Sequence, residues 1–115
     1  MWPYRKHKKK DYEKAIEFVE QYAVSLGAKL VGTKKEKFTT IAGDIVIKES
    51  LNMNIYKFDG LYFWVEHHFV PGKPFIVFSF GESIDSISDD ADPFPYDLPE
   101  EELKKEVRYS LGLEE

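Results

Sequence analysis

The dipeptide Asp59-Gly60 constrains the fold of this chain more than any other feature. It lies between two strand-like runs, MNIYKF at 53–58 and LYFWVEHHF at 61–69. A two-residue Asp-Gly loop closes a tight β-hairpin, because both of its central positions need φ > 0. We therefore expect four cross-strand pairs: Phe58 with Leu61, Tyr56 with Phe63, Ile55 with Trp64, and Met53 with Glu66.

A second turn follows this hairpin, at VPGKP, and the run FIVFSF at 75–80 predicts the next strand. We expect a four-residue loop from Pro71 to Pro74, which would pair Val70 with Phe75. That register places His67 opposite Phe78 and His68 opposite Val77.

The region before the hairpin predicts further short strands. KLVGTK and KFTTIA are expected to flank a lysine-rich turn, Lys34 to Lys37, and DIVIKE and MNIYKF to form another pair. The strand total is then four to six, arranged as a mostly antiparallel meander.

One helix is predicted before the strands in the sequence, and another is predicted after them. From Asp11 to Leu26, apolar residues recur at three- and four-residue steps, which is typical of an amphipathic helix. Near the C-terminus, Asp97 and Glu100 have the spacing of a capping box at the start of a second helix. The sequence thus predicts a single α+β domain over residues 11–115, with the first helix packed on one face of the sheet. Residues 1–10 form a basic, mobile tail in this interpretation.

The alternation of side chains along the strands predicts two different sheet faces. The face under the first helix is expected to carry Phe58, Leu61, Phe63, Val65, His67, Phe69, Ile76, Phe78 and Phe80. The other face is expected to carry Met53, Ile55, Lys57, Tyr62, Trp64, Glu66, His68, Phe75, Val77 and Ser79. His67 and His68 then point in opposite directions, which argues against a shared metal ion. We find no convergent catalytic cluster, no metal site and no cofactor motif.

The second face offers a candidate binding platform made of Tyr62, Trp64, Glu66 and His68. Aromatic side chains that carry a polar group are typical anchors of interfaces. Three alternatives stay open for this face: a small-ligand or enzyme site, a homodimer contact, or a surface covered by the C-terminal helix.

Composition narrows the class of protein. The 115 residues include no cysteine, which excludes disulfides and thiolate chemistry and is compatible with a reducing cytoplasm. No apolar run approaches the length of a membrane span, so we expect a cytoplasmic protein that does not enter a membrane. Residues 1–10 hold five Lys or Arg, whereas residues 11–115 carry a formal charge of −10. An acidic body would repel nucleic acid.

Residues 82–102 are the most unusual stretch, with nine acidic residues and no basic one. We call them the acidic segment. The sequence predicts a docking surface for a basic protein, in which Asp89, Asp90 and Asp92 supply charge and Phe94 and Tyr96 supply anchors. A small acidic inhibitor would have this composition. Toxin-neutralising immunity proteins are often similar in size and charge.

Overall fold

The computed structural model describes residues 9–70 and 73–113 and has the predicted α+β architecture. Two α-helices accompany one antiparallel sheet in these residues, so the predicted class is confirmed. In chain order the elements are α1 (Lys9–Ser25), β1 (Lys29–Ala42), β2 (Ile45–Phe58), β3 (Leu61–Val70), β4 (Lys73–Gly81), a short 3-10 helix (Ile84–Ser86), β5 (Asp89–Asp90), β6 (Phe94–Pro95) and α2 (Glu100–Ser110). Within this part of the chain, neither helix is long and apolar enough to cross a membrane. Residues 1–8 of the predicted basic tail lie outside the described residues.

The sheet is a meander in which the four long strands follow one another in chain order. Its strand order is β1-β2-β3-β4-β5, and β6 pairs with β4 as well. Both short strands therefore share the edge of β4 that β3 does not occupy. Ser79 pairs with Asp90 in β5, and Ile76 pairs with Phe94 in β6.

The first hairpin corrects the predicted lysine-rich turn. Lys34 to Lys37 lie inside β1, which runs without a break for 14 residues beside an equally long β2. The chain reverses at residues 43–44 instead, since Ala42 pairs with Ile45 and Gly43 has φ +63°. Lysines do not break a strand whose side chains reach water, and they are common on edge strands. The four predicted short strands are therefore two long ones.

The Asp59-Gly60 hairpin forms as predicted. Asp59 has φ 50° and Gly60 has φ 82°, the positive values that a tight two-residue turn requires. Phe58 pairs with Leu61 and Tyr56 with Phe63, which confirms the predicted register next to the turn. The other two predicted pairs, Ile55 with Trp64 and Met53 with Glu66, do not form among the described residues, because the two strands separate beyond Tyr56 and Phe63.

The predicted register of the next hairpin is wrong by two residues. Val70 pairs with Lys73, so only residues 71–72 separate β3 from β4, and the four-residue loop does not form. Accordingly His67 pairs with Ile76 and His68 with Phe75. A shift of two positions preserves the alternation of the strand, so the residues of β4 stay on their predicted faces.

Both helices pack on the same face of the sheet. The main core there combines Val19 of α1, Phe63 and Phe78 of the sheet, and Leu103 and Val107 of α2. The Nη1 atom of Arg108 also donates a hydrogen bond to the hydroxyl of Tyr22 at 2.7 Å, which joins the helices directly. The C-terminal helix consequently packs on the face opposite to Trp64.

The start of α2 differs from the predicted capping box. The helix begins at Glu100 with Pro99 as its N-terminal cap residue, and no side chain caps the first turn. The predicted cap at Asp97 is therefore wrong by two residues. Pro99 suits this place because the first residues of a helix do not need their backbone N–H for helical hydrogen bonds. Its carbonyl oxygen accepts the hydrogen bond from the Leu103 amide at 2.9 Å.

Candidate functional site

The acidic segment exposes all of its carboxylates. Its nine acidic residues are each solvent-exposed: Glu82, Asp85, Asp89, Asp90, Asp92, Asp97, Glu100, Glu101 and Glu102. The charges that the sequence predicted for a docking surface are thus accessible, including those of Asp89, Asp90 and Asp92.

The two aromatic residues of the same segment are core residues. Phe94 is 2% exposed and Tyr96 is 9% exposed. The Phe94 ring packs 6.4 Å from the ring of Phe78, and the Tyr96 ring meets that of Tyr12 edge to face at 6.0 Å. Their burial assigns them to holding the acidic segment on the domain and leaves them unavailable as anchors for a partner.

Backbone contacts also hold the acidic segment in place. The amides of Ser88 and Ala91 donate to the carbonyl oxygens of Phe80 and Phe78, at 3.0 Å and 2.9 Å. At its start, the backbone of Gly81 lies directly against the backbone of Ser86. A carboxylate-rich surface is therefore mounted on a fixed support.

The predicted aromatic platform is mostly covered. Trp64 is 7% exposed and forms a second apolar cluster with Met53 and Ile55, against which Tyr62 and Ile87 pack. The Nζ atom of Lys34 lies 5.9 Å from the centre of the Trp64 ring. Because Ile87 belongs to the acidic segment, that segment rather than α2 contributes to the cover of this face. The structure therefore does not present Trp64 as an open surface.

Glu66 is a buried carboxylate with hydrogen-bond donors around it. It is 6% exposed, and it accepts hydrogen bonds from Trp64 Nε1 and Ser79 Oγ, both at 3.2 Å. Ser79 Oγ also lies 2.5 Å from Asp90 Oδ1. A hydroxyl has one hydrogen, so Ser79 can donate to only one of these carboxylates at a time. This serine thereby links Glu66, on the Trp64 face of the sheet, to the acidic segment.

The strands β2 and β3 separate soon after their shared turn. Among the described residues, their pairing ends at Tyr56 and Phe63, although β2 stays paired with β1 and β3 with β4. A cleft of about 490 Å³ lies where they part, and we call it the β2–β3 cleft. Its lining residues come from α1, β2 and β3: Glu13, Ile16, Glu17, Glu20, Asn52, Met53, Asn54, Val65 and Glu66.

One wall of this cleft is a polar cluster between α1 and β2. Glu20 Oε1 accepts hydrogen bonds from Asn54 Nδ2 at 3.0 Å and from the Tyr56 hydroxyl at 3.1 Å. Burial raises the pKa of Glu20 above its usual 4.5; the hydrogen bonds from Asn54 and Tyr56 oppose this shift, and the charge of Glu17 adds to it. Burial, followed by the charge of Glu20, also raises the pKa of the Tyr56 hydroxyl, which keeps it a donor at neutral pH.

The sequence did not reveal this cleft, although it held one signal. Glu13, Glu17 and Glu20 recur at steps of four and three residues, which places them on one side of a helix. In isolation that pattern is typical of a solvated helix face. Only the separation of β2 from β3 turns it into the wall of a cleft.

The two histidines lie on β3, but their side chains are outside the described part of the structure. The predicted place of His67 on the face under α1, the predicted place of His68 in the binding platform, and the prediction of no shared metal site therefore stay predictions. Among the described residues, no group of three or more His, Asp or Glu side chains is placed to hold a metal ion. No protein-family model matches the chain, and neither a curated protein nor a solved structure is similar enough to it to give a significant match.

Proposed function

We propose that the chain is a small protein-binding module without catalytic activity, and that its partner is a basic protein. The observation that carries the proposal is the acidic segment, whose nine exposed carboxylates stand on a support fixed by Phe94 and Tyr96. A preformed surface loses little conformational entropy when it binds, so more of the interaction energy contributes to affinity.

The charge distribution favours association with a cation-rich surface. Residues 11–115 carry a formal charge of −10, and nine of the acidic residues fall within 21 consecutive positions. Complementary charge of this kind speeds encounter, and opposing charge rejects other acidic proteins. Nucleic acid and anionic membrane surfaces are disfavoured partners for the same reason.

The most concrete form of the proposal is an inhibitor that resembles an immunity protein in its mode of action. Enzymes that bind nucleic acid present basic surfaces to phosphates. An acidic protein of this size could cover such a surface and block it. A cytoplasmic location belongs to the same proposal, and the absence of cysteine is compatible with it.

The burial of Trp64 weighs against the other two functions. A small-ligand site or a homodimer contact built on Tyr62, Trp64 and Glu66 needs those side chains to be accessible. Two of the three are nearly buried, Trp64 at 7% and Glu66 at 6% exposure.

Affinity capture with the full chain as bait tests the proposal. The captured protein should be basic and should be released as salt rises, because ions screen exposed charges beyond about 10 Å at 0.1 M salt. A triple variant, Asp89→Asn, Asp92→Asn and Glu102→Gln, should lose most of the captured partner. A matched variant with the same change in net charge, Asp11→Asn, Asp44→Asn and Asp59→Asn, should retain it, since these exposed acids lie outside the acidic segment.

Two results would overturn the proposal. One is a partner of neutral or acidic charge that stays bound at high salt. The other is a basic partner that both triple variants retain equally.

A further inference from the structure

We propose that the β2–β3 cleft binds an extended, lysine- or arginine-bearing segment of a protein partner, which pairs with an open strand edge and places its cations beside the carboxylates of α1. The basic character of that partner rests on the proposed function. The site itself is distinct from the acidic segment, because it lies between β2 and β3 and beside α1.

The first step of the argument concerns the strand edges. Beyond Tyr56 and Phe63, the structure of residues 9–70 and 73–113 shows β2 paired only with β1, as far as Ile45, and β3 paired only with β4, as far as Val70. Among the described residues, the backbone N–H and C=O groups on the cleft-facing edges of β2 and β3 therefore belong to no strand pair. Such edges accept an additional extended chain, which supplies the missing main-chain hydrogen bonds.

The second step concerns the depth of the opening. Consecutive residues of a strand point to opposite faces of a sheet. Met53 and Asn54 nevertheless both line the cleft, and so do Val65 and Glu66. A closed sheet would separate the members of each pair, so the cleft lies between the two strands, with Asn52 exposed and Asn54 half-buried at its mouth and Met53, Val65 and Glu66 buried at its floor.

The third step concerns charge. Four carboxylate residues line the cleft, although Glu66 is buried and accepts hydrogen bonds from Trp64 and Ser79; none of the described lining residues is basic. Three of the four, Glu13, Glu17 and Glu20, come from one side of α1. A lysine or arginine side chain entering here would meet these carboxylates, while the half-buried Ile16 offers apolar surface to its aliphatic stem.

The fourth step concerns the shape of the occupant. A neighbouring hollow of about 330 Å³ shares Glu17, Glu20 and Asn54 with the cleft, so the two together form a groove along α1 and β2. A groove that follows a strand suits an extended segment better than a compact ligand. The alternation of an extended segment would direct every second side chain towards α1.

A peptide of eight residues that alternates valine and lysine is the probe that tests the inference. Added to isotopically labelled full-length protein, it should shift the NMR amide signals of Met53, Asn54, Val65 and Glu66. A peptide N-methylated at alternate positions keeps the charge but lacks the main-chain donors of one edge, and the version that blocks the pairing edge should bind at least about tenfold more weakly. The exposed Glu17→Gln change should weaken binding about two- to fivefold, whereas Asp44→Asn, at the far hairpin turn, should have no effect.

Other outcomes would overturn the inference. Equal binding of the N-methylated peptide would show that charge alone attracts it, without strand pairing. Shifts confined to residues 82–102 would place cation binding on the acidic segment. A dimer detected by light scattering, with the same cleft amides buried in its interface, would make a second copy of the chain the occupant.

The two experiments distinguish failure of the cleft inference from failure of the proposed function. If capture of a basic protein depends on the acidic segment while the peptide leaves the cleft signals unchanged, the inference fails and the proposed function stands. If the peptide binds in the cleft but capture yields no salt-sensitive basic partner, the proposed function fails and the cleft remains a peptide-binding site.

Discussion

The hydroxyl of Tyr56 donates a hydrogen bond to Glu20 Oε1 at 3.1 Å, across the boundary between β2 and α1. Counting away from the Asp59-Gly60 turn, Tyr56 is also the last described residue of β2 that pairs with β3. One side chain therefore marks the end of pairing between β2 and β3 and ties α1 to β2 at the point where the two strands separate.

The Tyr56→Phe variant should destabilise the domain. It removes one donor from a half-buried carboxylate and keeps the ring stacked on Phe63, whose centre lies 5.5 Å away. Hydrogen bonds to charged groups contribute about 1.5–3 kcal/mol, so a loss of about 1–2 kcal/mol is expected in urea unfolding at pH 7. An unchanged free energy of unfolding would show that the Asn54 amide alone satisfies Glu20.

The Glu20→Gln variant should change how stability depends on pH. The pKa of Glu20 is raised in the folded state, so the folded protein holds this proton more tightly than the unfolded chain. The stabilising effect is fully present below the ordinary value of 4.5 and is lost as pH rises through the folded pKa. Glutamine carries no charge and can still accept from Asn54 and Tyr56. Relative to the wild type, the variant should therefore be more stable at pH 7 than at pH 4 in paired urea titrations, and a constant difference between them would contradict this account.

The Ser79→Ala variant should be destabilising because Ser79 lies between two carboxylates. Its hydroxyl contacts Glu66 and Asp90, and the residue is 2% exposed. Removing a buried donor from a carboxylate costs about 1–3 kcal/mol, measurable by chemical denaturation. Ser88→Ala is the matched control: this serine is exposed, and its loss should change stability by less than about 0.5 kcal/mol. Equal destabilisation by the two changes would show that the contacts of Ser79 with Glu66 and Asp90 do not stabilise the fold.

The Gly81→Ala variant should destabilise the start of the acidic segment. A Cβ atom at this position would collide with the backbone of Ser86 and Ile87, which cannot move as a flexible side chain could. Overpacking of this kind costs about 1–3 kcal/mol. Gly32→Ala makes the same chemical change in β1, where nothing lies within 4 Å of the added atom, and should be nearly neutral. Similar melting temperatures for the two variants would contradict the contact.

The Gly60→Ala variant tests the turn that organises the sheet. Gly60 has φ 82°, and a residue with a Cβ atom pays about 1–2 kcal/mol to adopt a left-handed conformation. Thermal unfolding should show that loss. Asp59→Asn should change stability little, because asparagine tolerates the positive φ of that position.

Local chemistry explains which parts of the fold could be predicted. Asp59-Gly60 specifies its hairpin without help from distant residues, so the register beside it was correct. The polarity of Lys34 to Lys37 favours a turn, yet polarity does not break a strand as glycine or proline can. Pro74 favours a longer loop in the sequence, but it lies in β4, since proline is accepted near the first residue of a strand.

The candidate site was harder to predict because it depends on long-range packing. The exposure of Asp89, Asp90 and Asp92 follows from their charge alone. By contrast, the burial of Phe94 depends on the pairing of β6 with β4, and the cleft depends on where β2 leaves β3. Nothing within either strand specifies that point of separation.

The acidic segment touches both faces of the sheet, since Ile87 packs with the Trp64 cluster and Phe94 with the core under the helices. It thus crosses the edge of β4 that β3 does not occupy, and it makes apolar contacts on both faces of the sheet. Displacing the acidic segment would therefore expose apolar residues on both faces of the sheet. If the acidic segment binds a basic protein as we propose, we expect the two surfaces to meet as rigid bodies, and changes that strengthen such a complex should act mainly by slowing its release.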